Sequence, residues 1–139
     1  MPPKTGKTLF AALALIGVWA LTTPLAAADV RLNGRWRVTA VSGVARLDPA
    51  KTVAEFAANG RFATTIGCNR IFGAPTLDDG AISFGGMGVT RRACPGSLVG
   101  TETAYLAALE ATRAYSLSGQ NLAFFGKSGD RLITLTREK

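Results

Sequence analysis

The sequence predicts an α+β, mainly β fold: an antiparallel, strongly twisted sheet or partial barrel of seven to eight strands, with one packed helix. Three observations carry that expectation. Short runs of alternating apolar and polar residues recur from Asp29 onward, separated by Gly, Asn and Asp turns. Nearly all connections have hairpin length, which places sequence neighbours side by side in space. Only the stretch 98–114 changes to apolar spacings of three and four residues.

In order, an Asn33-Gly34 turn precedes a strand at 35–41, where Trp36, Val38 and Ala40 share one face. A polar connection with Pro49 spans 42–51. Strands at 52–57 and 61–66 flank Asn59-Gly60, a strong short-range hairpin signal. Gly67-Cys68-Asn69-Arg70 interrupts the alternation, 71–74 resumes it, and Asp78-Asp79-Gly80 turns into a strand at 81–84. The run 87–94 is the next expected strand, with Thr90, Arg92 and Cys94 on one face and Val89, Arg91 and Ala93 on the other. Pro95-Gly96 stops it. The helix is expected over 98–114, capped by Ser97 or Thr101, with Glu102 and Arg113 matched to the two ends of its dipole. Tyr105, Leu106, Leu109 and Thr112 form its apolar face. Strands at 115–118, 122–125 and 131–137 follow, the last with Ile133 and Leu135 inward.

Composition narrows the chemistry. The chain has 139 residues, enough for one modest domain. It contains no histidine, which removes Ser-His-Asp and Cys-His catalysis and every His-ligated zinc site. Its two cysteines cannot make a four-thiolate zinc site or hold an iron–sulfur cluster. Asp78 and Asp79 sit in a turn, where neighbouring acids are solvated, and offer too few oxygens for a metal. The expectation is therefore no enzyme, no cofactor and no metal.

Residues 1–28 read as a secretory leader. Lys4 and Lys7 form a positive start, the uncharged run 9–21 follows, and Ala26-Ala27-Ala28 provides a small-residue cleavage site. The competing reading is a retained anchor, but thirteen helical residues span about 20 Å against a hydrocarbon core of roughly 30 Å. Cleavage after Ala28 leaves 111 residues, and loss of the two lysines lowers the net charge from +7 to +5. Export makes a Cys68–Cys94 disulfide the favoured state, closing a 26-residue loop for about 3.5 kcal/mol of chain-entropy stabilisation. The other reading is a reactive thiol whose pKa is lowered by Arg70, Arg91 or Arg92.

Four segments together resemble the META domain, the family of the bacterial heat-shock-induced HslJ proteins. They are Leu32-Asn33-Gly34-Arg35-Trp36, Gly67-Cys68-Asn69-Arg70-Ile71-Phe72-Gly73, Met87-Gly88-Val89-Thr90-Arg91-Arg92-Ala93-Cys94-Pro95 and Leu117-Ser118-Gly119-Gln120-Asn121-Leu122. The resemblance covers nearly all of 29–139. It marks Trp36, Gly67, Asn69, Gly73 and Thr90 as motif residues. It implies an exported or envelope-associated protein linked to heat or antibiotic stress, with no established reaction. Relatives are often lipid-anchored, whereas no cysteine lies near the cleavage site here.

Two readings of the GCNR segment stand side by side. In one it is a cross-linked corner, with Asn69 satisfying backbone groups and Arg70 capping carbonyls. In the other, Arg70, Arg91 and Arg92 form a site for a carboxylate or phosphate. The function expected is a non-enzymatic, monomeric, periplasmic domain that supports the envelope by binding a protein or small ligand. A protease-inhibitor-like module and a thiol-based enzyme are the alternatives. The spread of charge without a basic run or nucleic-acid motif argues against nucleic acid, while weak attraction to an anionic membrane surface fits.

Overall fold

The computed structural model describes residues 29–139 together with Pro3, so the rest of the expected leader 1–28 lies outside the described residues. A short 3-10 turn, Val30–Leu32, leads into ten strands and one helix. The strands are β1 (Gly34–Val41), β2 (Val53–Phe56), β3 (Phe62–Thr65), β4 (Arg70–Gly73), β5 (Thr76–Asp78), β6 (Ala81–Ser83) and β7 (Gly88–Val89). Helix α1 (Gly96–Ala111) comes next, followed by β8 (Thr112–Ser118), β9 (Asn121–Gly126) and β10 (Arg131–Arg137). All ten strands belong to one antiparallel sheet in the order β5-β6-β8-β9-β10-β1-β2-β3-β4-β7. The class and architecture are as expected. The strand count is ten instead of seven to eight; β5, at one edge of the sheet, is the strand that the residue pattern does not announce.

The sheet is strongly curled. Phe56 in β2 and Phe124 in β9 stand three strand spacings apart, about 14 Å in a flat sheet, yet their ring centroids are 6.4 Å apart. Phe84, just past β6, closes the circle at 4.9 Å from Phe62 and 5.3 Å from Phe124. Helix α1 packs across β1 and β10 in mid-sheet, burying Tyr105, Ala108 and Leu109. The Tyr105 hydroxyl lies 2.8 Å from Thr64 Oγ1, which donates onward to the Val53 carbonyl. Burial holds that phenol far above its ordinary pKa, so it stays a donor.

Three local expectations are corrected. In β1, Ala40 is exposed and Val41 buried, because a bulge after Val38 reverses the alternation. The expected strand 87–94 stops at Val89, since the backbone of 90–95 is drawn away by side-chain bonds described below. The helix begins earlier and ends earlier than 98–114. Its N-cap is Pro95 without a side-chain cap, while Thr101 bonds back to the Ser97 carbonyl. At the other end Thr112 Oγ1 bonds the Ala108 carbonyl at 2.7 Å and the chain turns directly into β8. Arg113 donates to the Glu110 and Thr112 carbonyls, which suits a cation at a helix C-terminus. Ile133 and Leu135 are inward, as expected.

The two ends of the domain meet at Trp36. Its indole N–H donates to the Leu32 carbonyl at 2.8 Å, and the Arg137 guanidinium covers its ring at 4.2 Å. Arg137 also donates to the carbonyls of Arg31 and Asn33. A Cβ at Gly34 would stand 3.0 Å from that guanidinium, so the close approach favours glycine. Among the described residues no helix is long and apolar enough to cross a membrane.

Phe84→Ala is expected to cost about 3–5 kcal/mol, because it removes the ring that closes the aromatic circle; urea unfolding measures it. Asp29 accepts from Arg31 and from the Tyr115 hydroxyl, and chiefly the Arg31 contact lowers its carboxyl from 3.8 to about 2. A depressed carboxyl stabilises the fold above pH 3.8, and that contribution is lost as pH falls through about 2. Thermal melts of Asp29→Asn should fall below wild type above pH 4, with the gap closing towards pH 2.

Candidate functional site

The GCNR corner lies where β3 hands over to β4. Gly67 takes a φ of +141°, and a Cβ there would meet Leu98 of α1 at 3.2 Å. The corner therefore needs glycine both for backbone shape and for the approach of the helix. Cys68 is disulfide-bonded to Cys94, with their Cα atoms 6.0 Å apart. This pairing removes both thiols from the described state. At the far end of β4, Gly73 packs against Met87, whose Sδ would stand 2.6 Å from a Cβ.

Asn69 is the hub. Its Oδ1 accepts from the Thr90 hydroxyl at 3.1 Å and from the Arg92 backbone N–H at 2.7 Å. Its Nδ2 lies 3.2 Å from Cys94 Sγ. Its own backbone N–H donates to both carboxylate oxygens of Glu102, at 3.0 and 3.1 Å. Thr90 in turn accepts from the Arg70 N–H at 2.9 Å. One asparagine thus ties the corner, the segment 90–94 and the helix together. These bonds replace the ladder beyond Thr90, whose N–H makes the last bond to the Arg70 carbonyl.

Glu102 is the residue that sequence reasoning undervalued. From the sequence it matches only the positive end of the helix dipole. Its spacing from Tyr105, Leu106 and Leu109 is three, four and seven, so it lies on the same helical face. A carboxylate on an inward face needs a partner, and the backbone of Asn69 supplies one.

Between segment 90–94 and α1 runs an open groove of about 630 Å³. Ile71, Val89, Val99 and Leu106 give it an apolar floor and walls; Arg91 and Arg92 flank it, and Glu102 lies at its inner side. Val99 is 50% exposed and Val89 38%, so the groove presents apolar surface to solvent. The three expected arginines do not converge. Alternation along β4 sends Ile71 inward and Arg70 outward, onto the convex face beside Arg35 and Glu55. Arg91 and Arg92 share the groove, and among the described residues neither they nor Arg70 form an ion pair.

The fold and the site define a class: a small curled sheet with one helix, stapled at a GCN corner that a single asparagine organises. The META domain family profile matches residues 28–139, and the chain belongs to that family. It is similar to a protein from Burkholderia xenovorans solved by NMR, with 27% identity over 99% of each chain and a TM-score of 0.62. A DUF4847 family protein from Bacteroides vulgatus, solved by crystallography, shares the fold at 15% identity and a TM-score of 0.57, over 80% of this chain and 96% of that one. No curated protein matches the sequence.

Asn69→Ala is expected to destabilise the domain by about 1–3 kcal/mol, since it strands the Thr90 hydroxyl and the Arg92 N–H. Arg70→Ala, on the open convex face, should change stability by less than about 0.5 kcal/mol. Denaturant unfolding of the two variants measures the contrast.

Proposed function

We propose that this META domain is a non-enzymatic exported domain that supports the cell envelope under heat or antibiotic stress by binding. The observation that carries the reading is the groove between segment 90–94 and α1. It offers apolar walls with two arginines on one side that form no ion pair among the described residues, which suits a ligand or peptide with an apolar body and a carboxylate or phosphate group. Support for a binding role over catalysis comes from the lack of any histidine in the chain and from the disulfide that occupies both cysteines. Glu102, the groove's carboxylate, is held by the Asn69 N–H instead of facing a nucleophile. Export is supported by the leader-like segment 1–28 and by a disulfide of the kind that persists in oxidising compartments. In that setting the domain acts as a monomer, and its basic surface adds weak attraction to anionic lipid.

Dodecyl phosphate, titrated into the mature domain and followed by backbone NMR, tests the groove. Shifts should cluster at 89–94 and 99–106, and the Arg91→Ala/Arg92→Ala double variant should bind about tenfold more weakly, equal to about 1.4 kcal/mol. Shifts scattered over the surface, or an unchanged affinity in the double variant, would reject the groove as the site. N-terminal sequencing of protein recovered from the periplasm should begin at Asp29.

A further inference from the structure

We infer that reduction converts the stapled corner into a site for one thiophilic divalent metal ion of the Zn²⁺ type, with Cys68, Cys94 and Glu102 as ligands. The inference is independent of what the groove binds. Its basis is a juxtaposition that the sequence hid. The sulfurs of Cys68 and Cys94 and a carboxylate oxygen of Glu102 all lie within 4.8 Å of one another, and all three residues are half-buried. A tetrahedral zinc ion, with bonds of about 2.3 Å to sulfur and about 2.0 Å to oxygen, holds such ligands roughly 3.5–3.8 Å apart. Once the sulfur–sulfur bond opens, small side-chain rotations bring the three donors to that spacing.

The donor set selects the ion. Two thiolates and one carboxylate favour zinc or cobalt(II) over calcium or magnesium, which want oxygen alone. The count of two cysteines excluded a four-thiolate centre, but Glu102 supplies a third ligand from the helix, and a water on the groove side completes four. The outer sphere is already in place. The Asn69 N–H holds the Glu102 carboxylate, and Asn69 Nδ2 stands 3.2 Å from Cys94 Sγ. Such contacts orient metal ligands and tune their affinity. Thr90 and the Arg92 N–H fix the Asn69 side chain in turn.

The chemistry balances with a dithiol as reductant. It gives two electrons and two protons to the Cys68–Cys94 disulfide, leaves as its own disulfide, and yields two thiols. The metal ion then displaces both thiol protons to solvent and binds the two thiolates. Reoxidation by a small-molecule disulfide reverses the sequence: the oxidant takes two electrons from the thiolates and two protons from solvent and leaves as two thiols. The Cys68–Cys94 bond re-forms with expulsion of the ion, so disulfide and metal exclude each other at this corner.

The test uses residues 29–139, oxidised or reduced by a phosphine that does not compete as a thiol, titrated with Co²⁺. The oxidised domain should bind none. The reduced domain should take up one equivalent with thiolate-to-cobalt charge-transfer absorption, and Zn²⁺ should abolish that signal. Glu102→Gln keeps an acceptor for the Asn69 N–H and should weaken Co²⁺ binding by about tenfold or more, while Asp78→Asn should leave it unchanged. If reduction unfolds the domain, one equivalent of Zn²⁺ should restore its circular dichroism spectrum. Absence of the charge-transfer band in reduced protein, failure of Zn²⁺ to refold it, or an unchanged affinity in Glu102→Gln would each overturn the assignment.

Discussion

A single helix has to cover a ten-stranded sheet, and the geometry does not allow it. Ten strands spaced about 4.8 Å apart span roughly 43 Å if laid flat, whereas a helix with its side chains is about 10–12 Å across. Helix α1 packs chiefly over β1 and β10. The remaining apolar face must therefore cover itself, and curling does so. Phe56, Phe62, Phe84 and Phe124 meet as a ring of tilted and edge-on aromatics because the sheet has brought strands from both halves together.

The curl leaves the helix as a bridge with two differently built ends. Its C-terminus needs no loop, since Thr112 closes the last turn and starts β8 in the same residue. Its N-terminus lacks a side-chain cap and is fixed from outside, by the disulfide eight residues before Glu102 and by the Asn69–Glu102 contact. The groove exists because segment 90–94 is held away from the ladder by Asn69 instead of pairing along β4. Structural and functional readings of the GCNR motif are thus two aspects of one arrangement. The hydrogen bonds that stabilise the corner are the ones that open the cavity beside it.

Much of this was legible from residue pattern. The class of the sheet, the single late helix, the hairpin at Asn59-Gly60 and the inward face of Ile133 and Leu135 follow from period and turn chemistry, which act locally. The pairing of Cys68 with Cys94 followed from compartment and count. What local pattern could not show depends on partners distant in sequence. The reversal at Ala40 and Val41 comes from a bulge set by pairing with β10. The end of β7 is imposed by the side chain of Asn69, some twenty residues earlier. The separation of Arg70 from Arg91 and Arg92 reflects strand alternation at a register that the irregular corner obscured. Glu102 carried a signal in its helical spacing, but its meaning depended on which element the helix would meet.

The closure at Trp36 has a mechanical consequence. Strands β1 and β10 are antiparallel, and Trp36 pairs with Arg137 at the edge where both ends of the described domain emerge. Force applied between Asp29 and Lys139 does not shear the two strands along their length. It peels them from that edge, loading first the Arg137 contacts to Arg31 and Asn33 and the pairs of Glu138 with Arg35 and Arg37. Each later hydrogen bond then breaks alone, without sharing load with its neighbours. A domain with this exit geometry resists tension poorly when pulled by both ends, whereas a tether at one end alone carries no load through the sheet.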